Sequence, residues 1–326
     1  FSATPAPELA IDLDTTSLSV AQDVFFEFLP SPLQDADISG IISAAINAGK
    51  PDKDWQLAGK INLNNLNLKM GKDLTLSNLN GFIPLESGVT TPADFFPYRF
   101  RKENYDSWLT ELKKYEAANR AQLTIESANA SIISAKNLVL SPTLSATGAI
   151  IPLMKLNLFG GTIYGRASTT TAGEYTVILL LNNLSLKQVC DSQDSIRGML
   201  SGRFNGIMLL NGTELGLTKL RGIIQLWSIP SKDEPREFSK QFLEKAAGRK
   251  LPPLYIQRNY DEAKITLTIQ DGNLIFNDFL MVGRMFGRPM TSIGIDARGN
   301  KVSLTNFLDW MNGLASGTGG IKTEIK

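Results

Sequence analysis

Short segments in which apolar and polar residues alternate follow one another along most of the chain. The longest run is Leu158–Trp227, in which the segments GTIYGRAS, YTVILLLNNLSL, GMLSGRFNGIMLLNG and LTKLRGIIQLW each predict one β-strand. Turns are expected at Thr171–Gly173, Asn182–Asn183 and Asn211–Thr213. Alternate residues of the third segment share one face of a strand, and that face is apolar. It holds Leu200, Gly202, Phe204, Gly206, Met208 and Leu210.

The first half of the chain shows the same alternation. Residues 9–18 and 74–85 each predict a strand, whereas SGIISAAINA (residues 39–48) fits either a short helix or a strand. Within LAGKINLNNLNLKM (residues 57–70), the apolar row slips by one position at Asn64–Asn65 and then resumes, as expected for a β-bulge. Three strands are predicted over residues 123–150, with turns near Lys136–Asn137 and Ser141–Pro142.

Three segments predict helices. Aromatic and leucine side chains recur at helical spacing at about residues 98–120, and this stripe is interpreted as packing against a sheet. A second helix is predicted at about residues 234–248, because Pro235 suits a helix start and Gly248 a helix end. Residues 303–314 predict a short third helix with Ser303 as its cap.

The C-terminal third returns to strands. Ile265, Leu267 and Ile269 alternate with polar residues, and Asp271–Gly272 predicts a tight hairpin to the next strand. Residues 292–297 predict a further strand, and the Gly- and Ser-rich tail (residues 315–326) is expected to be flexible.

These patterns predict a mainly β fold with a few α-helices and a long, twisted antiparallel sheet. A sheet with one apolar face must cover that face, either as a β-sandwich, as a closed barrel or by curling into an open groove. Two parts are expected: a β-rich part with the amphipathic helix (residues 1–150) and a second β-rich part with the helix near residue 240 (residues 151–314).

Composition removes several classes of function. The 326 residues are 43% hydrophobic and 20% charged, with a net charge of +1, which is an ordinary globular balance. Nucleic-acid binding is not expected, because the only basic run, at residues 99–102, is followed at once by Glu103. The sequence contains no histidine, which excludes Ser-His-Asp and Cys-His catalysis and histidine-ligated metals. The single cysteine, Cys190, is interpreted as a structural thiol.

The remaining polar residues suggest no reaction. Carboxylates are scattered without a companion motif, and the Gly-rich spots at residues 160–161 and 317–320 lack the Lys and Ser/Thr of a phosphate loop. We therefore expect no enzyme activity, no cofactor and no metal. An envelope-polymer hydrolase with carboxylates meeting in one cleft is the weakest alternative. No apolar run reaches the roughly 18 residues of a transmembrane helix, and no signal peptide is visible, so the chain is expected to be a soluble part of a longer protein.

The order of the segments resembles the C-terminal region of the AsmA-like family, bacterial envelope proteins that include the YdbH and TamB types. The resemblance rests on "LFGGTIYG", a strand, "NLSLKQV" and then "GMLSGRFNGIMLLNGTELGLTKLRGIIQL", and it continues through residues 260–304. It covers roughly residues 150–312.

The resemblance implies a fold and a function. It favours the open apolar groove (a β-taco) over the sandwich, and it implies a periplasmic, inner-membrane-anchored protein of phospholipid transport and outer-membrane lipid homeostasis. The expected partner is phospholipid, held by its acyl chains in the groove, with the anchor outside this chain. A structural or assembly protein that binds other envelope proteins through strand edges is the alternative. The lipid-binding residues predicted on this basis are Leu200, Phe204, Met208, Leu210, Ile265, Leu267 and Ile269. The same residues would also suit the core of a closed sandwich.

Overall fold

The computed structural model describes most of the chain and divides it into two compact units. The described residues are 8–17, 36–49, 56–70, 74–88, 91, 95–96, 101–118, 123–130, 133–145, 147–192, 196–213, 219–247, 250, 259–285, 288–295, 301–304 and 323–325. Unit 1 comprises residues 1–98, 108–157 and 164–175, and unit 2 comprises residues 99–107, 158–163 and 176–326. The predicted division after residue 150 falls inside a strand, and the chain passes between the units several times.

Unit 1 is built on an antiparallel sheet of sequential neighbours. In chain order its strands are β1 (Glu8–Ser17), β2 (Ala36–Gly49), β3 (Gln56–Met70), β4 (Leu74–Glu86), β5 (Leu123–Ala130), β6 (Ile133–Leu140), β7 (Thr143–Ser145) and β8 (Gly148–Leu158). Each of β1 to β5 pairs with the next strand, and β8 pairs with β6. The short β7 lies beside β8 and runs parallel to β4.

Helix α1 (Tyr105–Ala118) follows a 3-10 turn at Lys102–Asn104 and confirms the predicted amphipathic helix. In unit 1 its inner side buries Leu109 and Leu112. Its outer side is tied to the strands by two ion pairs, Lys155–Glu116 at 2.5 Å and Arg166–Glu111 at 2.6 Å. The aromatic and leucine stripe therefore packs, as predicted.

The strands of unit 2 are also antiparallel, and two short helices accompany them. After β9 (Gly161–Thr170) and β10 (Glu174–Ser185), its elements are α2 (Leu186–Asp191), β11 (Arg203–Thr213), β12 (Arg221–Ile229), α3 (Lys240–Ala247), β13 (Glu262–Gln270), β14 (Asn273–Met285), β15 (Arg288–Ile295), β16 (Lys301–Ser303) and β17 (Thr323–Ile325). Strands β11 to β15 pair in sequence, β16 pairs with β14, and β17 pairs with β15. The predicted mainly β fold, with a long antiparallel sheet and a few helices, is confirmed.

Several asparagines bend strands instead of ending them. Asn65, Asn78, Asn137 and Asn183 have φ of 51°, 55°, 53° and 57°, the left-handed region that Asn tolerates. The bulge predicted at Asn64–Asn65 is confirmed by the register shift between Leu63 and Leu66. The turns predicted at Lys136–Asn137 and Asn182–Asn183 were wrong, because these residues lie inside β6 and β10. The turn predicted at Asn211–Thr213 was also wrong, since these residues end β11.

Of the other predictions, some are confirmed and some differ from the structure. Residues 39–48 form a strand, and Asp271–Gly272 forms the predicted hairpin turn, with φ of 50° and 70°. The second helix begins only at Lys240. Helix α2 was missed: Ser185 caps it by accepting a hydrogen bond from the Gln188 N–H at 3.0 Å. Ser303 ends β16, and residues 305–314 of the third predicted helix lie outside the described residues.

Candidate functional site

The predicted lipid-binding residues lie mainly on one face of strands β11–β14 in unit 2. The strand registers align this face into rows that cross the strands. One row is Met208, Ile224, Leu267 and Phe276; the next is Leu210, Gly222, Ile269 and Leu274; a third is Gly206, Leu226, Ile265 and Phe279. The register shift after Thr266 keeps the β14 residues on the face, because it skips Asn277.

Burial on this face is graded. The innermost side chains are Ile224, Leu267, Ile269, Leu274 and Leu304, which are 2–9% exposed. Around them, Met208, Leu210, Leu226, Ile265 and Phe276 pack against this core but stay only partly buried. An apolar rim of this kind leaves hydrocarbon surface within reach of a ligand.

Five of the seven predicted residues belong to this cluster: Met208, Leu210, Ile265, Leu267 and Ile269. Phe204 lies on β11 opposite Ser228 and is half-buried. Leu200 is elsewhere, since β11 begins only at Arg203 and Leu200 forms an isolated bridge with Phe238. The residues that the prediction missed are Ile224 and Leu226 of the intervening strand, Leu274 and Phe276 of the next, and Leu304; all except Leu304 follow the strand alternation.

Two glycines make room for leucines on the face. A Cβ at Gly206 would lie 2.5 Å from Leu226 Cδ2, and a Cβ at Gly222 would lie 2.8 Å from Leu210 Cδ2. A larger residue at either position would therefore displace the neighbouring leucine or the strand.

One end of the face is covered within unit 2. Phe238, Leu243 of α3, Tyr260 and Met281 form a buried cluster against which Leu200, Phe242, Ala263 and Phe279 pack. Because Ala263 pairs with Met281 and Ile265 with Phe279, this cluster continues the same sheet face. The segment carrying Phe238 and α3 thus closes the face at its Met281 end.

The opposite face of β11 is not uniformly polar. On this face, Ile207 of β11 is 0% exposed, whereas Ile223 of β12 is 38% exposed. Trp227 is 9% exposed and receives the Tyr105 ring edge-on at 5.1 Å. The Tyr105 hydroxyl in turn donates to the Leu181 carbonyl at 2.9 Å, which attaches the first turn of α1 to β10.

A buried polar junction joins the segments that carry the family resemblance. The Glu234 carboxylate accepts hydrogen bonds from the N–H groups of Lys187 (3.1 Å) and Gly202 (2.9 Å), and it pairs with Arg203 Nε at 3.1 Å. Arg203 Nη1 donates to the carbonyls of Gly160 (2.8 Å) and Asn183 (3.0 Å). "LFGG", "NNLSLK", "SGRF" and the loop before α3 therefore meet at one ion pair. The Glu234 carboxylate and the Arg203 guanidinium therefore link these segments to one another.

Burial raises the pKa of two titratable groups near the junction. Burial raises the pKa of the Cys190 thiol to about 11, and the side chain is 1% exposed. Burial also raises the pKa of Tyr260, whose hydroxyl donates to the Ser201 carbonyl at 2.7 Å. Both groups are thus held neutral at ordinary pH.

Metal and membrane features were sought in the same described ranges. No three His, Cys, Asp or Glu side chains among them come together as a metal site. Of the helices that the structure describes, none is long and apolar enough to cross a membrane.

Unit 1 repeats the arrangement of rows. Leu66, Leu79, Ile125 and Leu138 are direct neighbours across β3, β4, β5 and β6. Leu79, Leu123 and Ile125 are 4–9% exposed, whereas Leu63, Leu66, Leu76, Ile83, Leu138 and Leu140 pack on them and stay partly buried. Both units therefore present an apolar sheet face with a buried centre and partly exposed flanks.

Comparison with known proteins adds no relative: no family model, no curated protein and no solved structure matches the chain.

Proposed function

We propose that the chain is a lipid-binding segment of an AsmA-like envelope protein, which holds the acyl chains of phospholipid on its apolar sheet faces and passes them along. In this proposal it works in the periplasm, belongs to phospholipid transport and outer-membrane lipid homeostasis, and is held at the inner membrane by an anchor outside this chain. It performs no catalysis and needs no cofactor.

The observation that carries the proposal is the graded burial of the β11–β14 face. Ile224, Leu267 and Ile269 form a floor, and Met208, Leu210 and Ile265 flank it while remaining partly buried. The partly buried flanks leave apolar surface in contact with solvent, where hydrocarbon can lie against it. A face that is open along its rows offers hydrocarbon a track without polar groups.

The energetics suit an acyl chain. Each CH₂ group removed from water contributes about 0.8 kcal/mol, so a long chain is held without specific hydrogen bonds. Binding of this kind needs no constellation of charged residues. The polar junction at Glu234 agrees with it, since that junction fastens the scaffold beside β11 and presents no free group to a ligand.

The test is lipid extraction combined with photo-crosslinking at two adjacent residues. Ile265 lies on the apolar face, and Thr266, the next residue, lies on the opposite face. The purified chain is made with a photo-reactive amino acid at either position, irradiated, extracted with organic solvent and analysed by mass spectrometry. We expect co-purified phospholipid, with adducts at position 265 and not at position 266.

Two results would contradict the proposal. An extract without lipid, from protein whose label at position 265 finds only its own chain, means that the face is a closed core. Equal labelling at positions 265 and 266 means that lipid coats the protein without using the face.

A further inference from the structure

A line of residues at which the strand ladders are interrupted crosses unit 1 at right angles to its strands. We call the line the seam; it consists of Gly40, Asn65, Asn78, Glu126 and Asn137, on β2 to β6. Gly40 has φ of 128°, and the three asparagines have φ of 51–55°. The ladder registers skip these positions in turn: Ser39 to Ile41, Leu63 to Leu66, Ser77 to Leu79, and Ile125 to Ser127. The register shifts between β2 and β3 and between β3 and β4, whereas Asn78, Glu126 and Asn137 lie opposite one another without a further shift. The interruptions of the ladders in five adjacent strands are therefore aligned.

The backbone of the seam is satisfied by neighbouring asparagines. The Asn65 N–H donates to Asn80 Oδ1 at 2.8 Å, and the Asn78 N–H donates to Asn67 Oδ1 at 3.0 Å. Each of β3 and β4 thus donates one backbone N–H to an asparagine side chain of the other strand. Asn78 Nδ2 donates to Glu126 Oε2 at 3.0 Å, which continues the line to β5. These contacts replace the ladder hydrogen bonds that the bulges remove.

Gly40 is required at its end of the line. A Cβ at this position would lie 2.6 Å from Leu66 Cα and 2.8 Å from the Asn65 carbonyl oxygen, both backbone atoms that cannot move aside. The close approach of β2 to the β3 bulge therefore depends on the missing side chain.

Each bulge adds its extra residue to the polar face. In β3, Asn64 and Asn65 are both exposed, whereas Leu63 and Leu66 on either side of them belong to the apolar face. In β6, Lys136 and Asn137 are both exposed, between buried Ala135 and half-buried Leu138. An extra residue on one face lengthens that face, so the strand curves towards the other one.

Because the bulges are aligned, the bends add along one line. A crease formed in this way would run across the strands, beside the row of Leu66, Leu79, Ile125 and Leu138. With neighbouring strands about 4.8 Å apart, five strands give a crease of about 19 Å, room for one extended acyl chain.

We propose that the seam sets the curvature of the apolar face of unit 1, and that this curvature selects slender linear acyl chains over bulky polycyclic lipids. The statement about lipid rests on the function proposed above; the statement about curvature does not. A curved face encloses a narrow cylinder, whereas a flattened one loses contact with a linear chain and accommodates a wide, rigid ring system equally well.

The experiment measures curvature and lipid preference on the same variants. Spin labels at Lys60→Cys and Lys69→Cys lie on the exposed face of β3, one on each side of Asn65, while the buried Cys190 stays unlabelled. A straight strand would separate the two backbone positions by about 30 Å, and a bent one by less. Lipid preference is the ratio of palmitate to cholesterol retained by the purified full chain.

Two seam variants and a control are compared. Asn78→Val opposes the left-handed backbone, and Asn67→Ala with Asn80→Ala removes both acceptors while leaving the seam residues in place. Asn78→Gly keeps the backbone conformation and should behave as the wild type. The control is Asn62→Val. Asn62 is an exposed residue of β3, the strand that carries Asn65 and Asn67, and it lies outside the seam. We expect both seam variants to lengthen the label distance and to lower the palmitate preference about five-fold, which corresponds to about 1 kcal/mol, while the control changes neither.

Each other outcome is decisive. An unchanged label distance in both seam variants overturns the role of the seam in curvature. A longer distance with an unchanged preference overturns the selection of linear chains. If the wild type retains neither lipid, the proposed function and the selection both fail, and the label distance alone still decides whether the seam bends the sheet. If Asn78→Val does not fold, the double alanine variant, whose backbone is unstrained, gives the answer.

Discussion

At the scale of single residues, the four asparagines in the left-handed region explain where sequence reasoning succeeded and where it failed. Asn combines a tolerance for positive φ with a preference for turns. At Asn64–Asn65 the apolar row visibly resumes, so a bulge could be predicted. Asn137 and Asn183 looked like turns because local preference was weighed above the leucines that follow them. The signal that distinguishes the two is an apolar residue, two polar residues ending in Asn, and then Leu, as in Leu181-Asn182-Asn183-Leu184.

Cys190 illustrates how burial decides reactivity. Burial raises its pKa from an ordinary value of 9.0 to about 11, so the native thiol carries far less thiolate at pH 8 than an unfolded one. We expect a thiol reagent at pH 8 to modify native Cys190 about two orders of magnitude more slowly than the urea-unfolded chain.

The same shift sets a pH dependence of stability. The folded chain holds the thiol proton more tightly, so this contribution to the free energy of unfolding is complete below about pH 9 and is lost as the pH rises through about 11. Urea unfolding at pH 8 and pH 11 should show a smaller loss for Cys190→Ala than for the wild type. Rapid labelling of the native protein, or equal losses in the two proteins, would contradict this account.

At the scale of elements, alternation predicted the strands but not their partners. The period of two reports that one side of a strand is buried, and so β3, β4, β11 and β13 were found from their own residues. Of the missed members of the site, Ile224 lies on β12, whose place beside β13 is set by contacts distant in sequence. Leu274 lies just across the predicted hairpin, opposite Ile269, and its place on the face could have been predicted. Leu200 was assigned to β11 because the alternation extends through it, but Gly198 and Gly202 have φ of 68° and 126° and separate it from the strand.

The polar junction was invisible in the sequence for the same reason. Glu234 has no local motif, yet it fastens α2, the start of β11 and, through Arg203, the Phe159–Gly161 segment. The Glu234 and Arg203 side chains are only 10% and 17% exposed. Removal of the carboxylate would leave Arg203 and two N–H groups without their partner in a largely buried site. We therefore expect it to lower the free energy of unfolding.

We expect Glu234→Gln to lower the free energy of unfolding by about 3 kcal/mol, because removing one partner of a largely buried ion pair leaves the other charge unpaired. The matched control is Asp278→Asn, which breaks the exposed Lys264–Asp278 pair at 2.9 Å and should cost less than about 0.5 kcal/mol. Urea unfolding followed by circular dichroism measures both. Equal effects of the two substitutions would show that the junction is not a fastening point.

At the scale of the whole molecule, two compact units share one construction: a sheet whose apolar rows cross the strands, with a buried centre and partly buried flanks. Alternation predicted the strands of both faces, because one side of each strand is apolar. Whether the flanks are open or covered is a property of the assembled fold, and alternation alone fits both a groove and a sandwich.

Introducing a charge at the flank and at the centre of the β11–β14 face separates those two interpretations. Met208 is a partly buried flank residue, and Leu274 is 2% exposed. On an open face, the stem of Met208→Lys lies along the apolar surface and its ammonium reaches water, so we expect less than about 1.5 kcal/mol of destabilisation. Leu274→Lys places a charge in the closed centre and should cost more than about 3 kcal/mol.

The functional measurement uses the same two proteins. Phospholipid retained by the folded Met208→Lys chain should fall well below the wild-type amount, because the ammonium interrupts the apolar row that it shares with Ile224 and Leu267. Unfolding free energies from urea titration and lipid content from mass spectrometry are compared on one preparation. A Met208→Lys chain as unstable as Leu274→Lys would identify the face as a sealed core, and the acyl-chain track would then have to be abandoned.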